Sequence, residues 1–219
     1  MPIQFYHLEI SSPCRAVDMV IHHFDIPVHY INVDLFSGDH LKPEFIKLNP
    51  AHTIPVIDDE GFILYESRAI CAYLMNKYGK DDSLYPKDVL MRGKVDEQLY
   101  FSDDLFYLFK IITLQVLNEN LKILTNKQNA DILDRFKAME QILSKQDYFA
   151  GNQLTIADLS NISFVPALQV YLPINEENKF PCIANWISRC EKNITRYKDI
   201  NAKGLEELKN LILKHFRKN

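Results

Sequence analysis

At 219 residues, with 47% apolar and 25% charged residues, the chain has ordinary globular composition, enough for one large domain or two small ones with real cores. Lys and Arg number 25 against 29 Asp and Glu, a formal net charge of −4. That balance, with no basic stripe, argues against a nucleic-acid partner, and no apolar run approaches the ~20 residues of a membrane helix. The opening MPIQFYHLEI lacks a basic region followed by an apolar stretch, so no secretory leader is expected and a cytoplasmic protein is.

In chain order, IQFYHL reads as a strand, PCRAVDMVIHHF as a helix and PVHYINVD as a second strand. A Pro-bounded segment follows. TIPVIDD and FILYE are short apolar runs separated by Glu60-Gly61, a tight-hairpin signal. ESRAICAYLMNKYG is a helix with Gly79 as its stop. The expected fold is α/β here: a parallel first pair with an antiparallel edge added by the hairpin. KDDSLYPKD, residues 80–88, is polar, holds Pro86 and has no periodicity. Beyond it strand signals fade, and 89–124, 126–146, 155–171 and 204–217 read as helices. The domains are therefore placed at 1–80 (α/β), 81–88 (linker) and 89–219 (all-helical). The charge divides at the same place: residues 1–80 hold 6 Lys and Arg against 10 Asp and Glu, and the remainder holds 19 of each.

Cys14, Cys71, Cys182 and Cys190 are scattered, so neither a disulfide framework nor a zinc site is indicated. Six of the seven histidines lie in the first 52 residues without metal-ligand spacing. No metal is expected.

Three constellations carry chemistry. Ser11-Ser12-Pro13-Cys14-Arg15 lies between the first strand and first helix. Ser before Pro is good capping chemistry, which alone explains the residues. The same helix terminus favours an anion, and a serine hydroxyl can donate to a thiolate and lower its thiol's pKa. In Asn49-Pro50-Ala51-His52-Thr53-Ile54-Pro55, a cis bond before Pro55 would offer the backbone of Ile54 to an extended, peptide-like ligand. Glu66-Ser67-Arg68 opens the helix after the hairpin: Ser67 is an acceptable cap, and together the acid, hydroxyl and free N–H groups suit a zwitterionic amino-acid head.

Taken together, SSPCRAV, GDHLKPEFIKLNPAHTIPVIDDEGF, ESRAICAYLMNKYGKDDSLYPKD and FAGNQLTIADLS resemble the cytosolic glutathione transferases of the insect delta and epsilon classes, with GDHLKPEF leaning towards epsilon. The resemblance implies a thioredoxin-like βαβαββα domain followed by an all-helical one, glutathione as co-substrate, and a homodimer. It puts the thiol-activating serine at Ser11, with the adjacent Ser12 as the alternative. It implies glutathione contacts at His40, His52, Thr53, Ile54, Pro55, Glu66, Ser67 and Arg68. A hydrophobic electrophile is expected between Ile10, Pro13 and Leu35 on one side and Tyr107, Ile111 and Leu114 on the other. Some epsilon members carry an arginine where this chain has Ile111, and Lys110 next door is a candidate substitute. Thr155-Ile156-Ala157-Asp158 reads as a capping box with a folding role.

Two rival readings are also compatible with these residues. A binding protein would use the apolar pocket without turnover. A glutathione-dependent oxidoreductase would work through Cys14, a weak reading because that cysteine falls inside a helix.

Overall fold

The computed structural model describes residues 1–174 and 179–216. The first strand, β1 (Ile3–His7), buries Ile3 and Phe5 while Gln4 faces solvent, the alternation of a sheet with one covered face. It pairs in parallel with β2 (Val28–Asn32), the two joined by helix α1 (Ser12–His23). A single 3-10 turn at Asp39–Leu41 and helix α2 (Pro43–Leu48) lead to β3 (Val56–Asp59), which pairs antiparallel with both β1 and β4 (Phe62–Tyr65). The sheet order is β2-β1-β3-β4. Asp59 pairs with Phe62, leaving Glu60 and Gly61 as a two-residue turn with φ of 56° and 91°. Both values are positive, as a type I′ hairpin requires. Helix α3 (Ser67–Tyr78) closes this part of the chain and packs against α1.

The remainder is helical. Asp88 caps α4 (Val89–Asn118), its Oδ1 accepting from the amides of Leu90 at 3.1 Å and Met91 at 2.9 Å. This 30-residue rod, about 45 Å long, packs against α5 (Asn126–Leu143), α6 (Ile156–Ile162) and α9 (Lys203–His215), and α7 (Val165–Leu168) and α8 (Pro181–Asn193) complete the set. A π-helical turn, Lys198–Ala202, leads directly into α9. Among the described residues no helix is long and apolar enough to cross a membrane.

The expected α/β-then-helical architecture is what the chain adopts, but its helical boundaries differ. The stretch read as one helix over 155–171 is two, because the chain breaks around Ser163 and Phe164 just ahead of Pro166. Proline has no N–H to continue the ladder. The stretch 89–124 ends at Asn118, and Asn120 turns left-handed at φ 60°. The stretch 126–146 ends at Leu143, and the last helix is Lys203–His215. Position 217, the expected end of that helix, lies outside the described residues, as do 175–178 and 218–219 of the helical part.

Helix α6 contributes a large share of the interface between the two parts. All of its side chains are buried, and it packs on α1, α3 and α4. Asp158 holds its start: Oδ2 accepts from the Thr155 amide at 2.9 Å and hydroxyl at 3.1 Å, the return half of the expected capping box.

Candidate active site

Three chain turns converge where α1 and α3 begin. Ser11 is the residue before α1, in extended conformation (φ −73°, ψ 116°), and its side chain caps no helical amide. Pro13 in the first turn needs no N–H partner. Ser12 is different: it is buried, and its hydroxyl accepts from Nη2 of Arg15 at 3.2 Å. The two adjacent serines thus have opposite environments, one hydroxyl spent inside the protein and one half-buried at the helix entrance.

The Ile54–Pro55 peptide bond is cis. Asn49, fully buried, holds the approach to it, donating from Nδ2 to the Thr53 carbonyl at 2.9 Å and hydroxyl at 3.1 Å. Glu66 adopts φ 73° and occupies the cap position of α3, so Ser67 is the first helical residue rather than the cap the sequence suggested. A left-handed conformation at a residue other than glycine is strained and collects at ligand clamps.

A cleft of about 140 Å³ opens between these turns and α4. It is lined by Pro13, Thr53, Ile54, Pro55, Glu66, Ser67 and Arg68 from the first part of the chain. Asp103, Phe106, Tyr107 and Lys110 of α4 form the facing wall. Six of the eight residues expected to hold glutathione are therefore together. His40 and His52 do not line this cleft; their rings stand side by side, centroids 6.3 Å apart, and the buried Nδ1 of His40 has no hydrogen-bond partner. Of the residues expected to meet an electrophile, Pro13 and Tyr107 line the cleft. Ile10 and Leu35 pack against the hydrophobic core, while Ile111 and Leu114 are exposed on α4. Ser11 adjoins the cleft through Pro13 without lining it.

Arg68 is more engaged than its sequence position suggests. Nε donates to the Leu99 carbonyl at 3.1 Å, Nη2 to the Ser102 hydroxyl at 3.0 Å, and Nη1 pairs with Asp103 at 3.0 Å. Its guanidinium also lies 5.9 Å from the Phe106 ring centroid. It ties α3 to α4 across the floor of the cleft. Asp103 was not singled out in the sequence; an acid within an aromatic run of a long helix gives no signal of what it faces. Of the aromatic residues in 100–109, Phe109 is buried and Phe101 and Phe106 pack against the core, whereas Tyr100 and Tyr107 are exposed.

Cys14 is buried, and burial pushes its thiol up to about 12, against smaller opposing effects from the Ser11 side chain and the Leu8 backbone. A thiol so placed does not ionise near neutrality, which removes the basis for the oxidoreductase reading. Among the described residues, no three His, Cys, Asp or Glu side chains converge as metal ligands.

Residues 5–82 match the family model of the glutathione S-transferase N-terminal domain, and residues 89–193 match that of the glutathione S-transferase C-terminal domain. The chain belongs to the glutathione S-transferase family. It is 35% identical over 215 residues to glutathione S-transferase 1 of Manduca sexta, covering 97% of this chain and 98% of that one. Among solved structures, a glutathione transferase homolog from Drosophila mojavensis with bound glutathione superposes with a TM-score of 0.93 at 32% identity, covering 99% of this chain and 98% of that one. An epsilon-class glutathione S-transferase from the housefly, Musca domestica, gives 0.93 at 34% identity, covering 97% and 98%. The first part of this transferase is therefore the thioredoxin-like domain and the rest the helical domain of that family.

Proposed function

We propose that this glutathione S-transferase activates the thiol of glutathione with the Ser11 hydroxyl and directs the thiolate at hydrophobic electrophiles, as a detoxification enzyme. The observation that carries the reading is the contrast between the serines: Ser11 is half-buried at the start of a 12-residue helix, caps no helical amide and, among the described residues, its side chain bonds only with the Cys14 thiol, while the buried Ser12 hydroxyl is spent on Arg15. In this mechanism the thiol proton leaves to solvent. The Ser11 O–H then donates to the sulfur anion, helped by the partial positive charge of the α1 terminus. The thiolate forms the new C–S bond, and the electrophile's leaving group departs with its electron pair. A thiolate population raised several-hundredfold corresponds to about 3–4 kcal/mol.

Glutathione is assigned along the turns. Its γ-glutamyl head lies at Glu66, Ser67 and Arg68, its cysteinyl backbone at Ile54 beside Thr53 and Pro55, and its glycine carboxylate at His52 and His40. The electrophile is assigned to the side of the cleft at Pro13 and Tyr107, with Ile10, Leu35, Ile111 and Leu114 as the further apolar residues proposed to meet it. Residues 1–80 hold glutathione, 81–88 link, and 89–219 supply the apolar wall. The class is epsilon-like, supported by GDHLKPEF and the likeness to the housefly structure. The enzyme acts as a cytoplasmic homodimer.

The test is turnover of an aryl halide with Ser11→Ala. A fall in kcat of about 10- to 100-fold with KM for glutathione within about twofold is expected, since the hydroxyl acts on the thiolate rather than on peptide binding. Wild-type protein that binds glutathione yet conjugates no electrophile from a panel of aryl halides, enals and epoxides would make it a binding protein instead.

A further inference from the structure

We propose that Asn201 is a positioning residue for the Ser11 loop, acting through the buried guanidinium of Arg15; this rests on the reading of Ser11 given above. Arg15 is 2% exposed, and every group it donates to is neutral. Nη1 reaches the carbonyls of Glu9 at 3.3 Å and Ile10 at 2.6 Å, immediately ahead of Ser11. Nη2 reaches the Ser12 hydroxyl at 3.2 Å and the Ser163 carbonyl, while Nε donates to Oδ1 of Asn201 at 2.9 Å. A guanidinium buried without a carboxylate partner is costly unless its N–H groups are satisfied. This one uses them to bind the loop on both sides of Ser11 to two distant parts of the helical domain.

Asn201 is the far anchor, 186 residues from Arg15 in sequence. It is fully buried and fixed from its other side, Nδ2 donating to the Ile162 carbonyl at 3.3 Å. It sits in the π-helical turn, a form that recurs at functional sites. Two residues beyond that turn comes an independent contact. A Cβ on Gly204 would stand 2.4 Å from the Glu9 carbonyl oxygen and 2.9 Å from Cδ of Arg15, so only glycine lets α9 start directly on the loop. Lys203 adds an ion pair to the Glu9 carboxylate at 2.8 Å. One C-terminal segment thus meets the loop three ways, and none of its residues lines the cleft. Losing the anchor should therefore misplace the Ser11 hydroxyl while leaving the peptide-gripping turns at Thr53–Pro55 and Glu66–Arg68 intact. Small misplacements of a reacting or stabilising group are costly in rate.

The test uses full-length Asn201→Leu, Asn201→Asp and Gly204→Ala, with Phe136→Leu in the α5 core as a stability control. For Asn201→Leu we expect about a tenfold fall in kcat, KM for glutathione within about twofold, and a smaller fraction of bound glutathione as thiolate by ultraviolet absorbance. Amide exchange should quicken at Ser11 and Arg15, whose N–H groups bond to the Leu8 and Ser11 carbonyls. Asn201→Asp keeps an acceptor for Nε and should recover most of the turnover. Gly204→Ala should reproduce the defect without touching Asn201, and decides the matter if Asn201→Leu does not fold. Wild-type kcat and thiolate fraction in both Asn201→Leu and Gly204→Ala overturn the proposal. So does an equal loss of kcat in Phe136→Leu at matched Tm. A wild type that leaves bound glutathione un-ionised defeats the Ser11 reading instead, and is told apart because amide exchange tests the anchor without glutathione.

Discussion

The indole N–H of Trp186 donates to Oδ1 of Asp158 at 2.9 Å, and the same oxygen accepts the amide of Phe149 at 2.9 Å. With both Thr155 bonds on Oδ2, one buried carboxylate joins the start of α6, the segment before it and the middle of α8. Trp186→Phe removes the N–H and part of a fully buried ring, and should cost about 2–4 kcal/mol by urea denaturation. Thr155→Ala removes only the hydroxyl and should cost about 1 kcal/mol. Equal costs, or none, would show that Asp158 does not organise this junction. Turnover per folded molecule should change little in either variant, because neither residue lines the cleft.

The two adjacent serines should separate stability from chemistry. Ser12→Ala leaves an N–H of Arg15 without its acceptor in a buried setting, and should lower stability by about 1–2 kcal/mol. Its kcat should stay within about threefold of wild type, since four other acceptors still hold Arg15. Ser11→Ala should do the reverse: near-native Tm and impaired turnover. If Ser12→Ala abolished conjugation and Ser11→Ala did not, the assignment of the thiol-activating hydroxyl would move by one residue.

Stability should also carry an acid limb traceable to Asp59. Its buried carboxylate accepts from Tyr73 Oη at 2.6 Å, Lys77 Nζ at 2.7 Å and Tyr78 Oη at 2.7 Å, which fastens α3 to the end of β3. Burial alone would raise its pKa, but these donors together outweigh it and hold the pKa below the ordinary carboxylate value. A depressed folded pKa means the unfolded chain takes up the proton first as pH falls. The contribution is therefore complete above about pH 5 and is lost as pH drops through about 4 and below. Asp59→Asn should be less stable at pH 7 and show a flatter urea midpoint between about pH 5 and pH 3. A slope identical to wild type would assign the acid limb to other groups.

How much of this was written locally in the sequence varies by region. In the first 80 residues the elements are short and punctuated, so strand, helix and the Glu60-Gly61 turn could be read from alternation and turn chemistry. The turns that form the cleft were legible for the same reason: Ser-Pro, Pro-Ala-His-Thr-Ile-Pro and Glu-Ser-Arg are breakers and cap residues at element boundaries. The helical domain hid more. With α6 and α7 buried on every side, no polar face marks the helical period, and the break near Ser163 passed as continuous helix. That break frees the Ser163 carbonyl for Arg15. The Arg15–Asn201 and Arg68–Asp103 pairs were likewise invisible, because each joins residues that only the tertiary fold brings together.

Lys110 is the cation left to serve the cleft's ligand. Of the two basic residues lining it, Arg68 is committed to Leu99, Ser102 and Asp103, whereas Lys110 is exposed and forms no ion pair among the described residues. Glutathione carries a net negative charge into a domain whose own Asp and Glu exceed its Lys and Arg by 10 to 6. An ammonium on the facing helix offsets part of that repulsion, though a solvent-exposed charge acts weakly and is screened by salt. Lys110→Met should raise KM for glutathione about two- to fivefold, leave kcat within about twofold and leave Tm unchanged. The KM difference from wild type should shrink as salt rises, as expected of an exposed charge. A salt-independent difference would mean that the lysine stem, through packing against Phe106 or Tyr107, matters more than its charge.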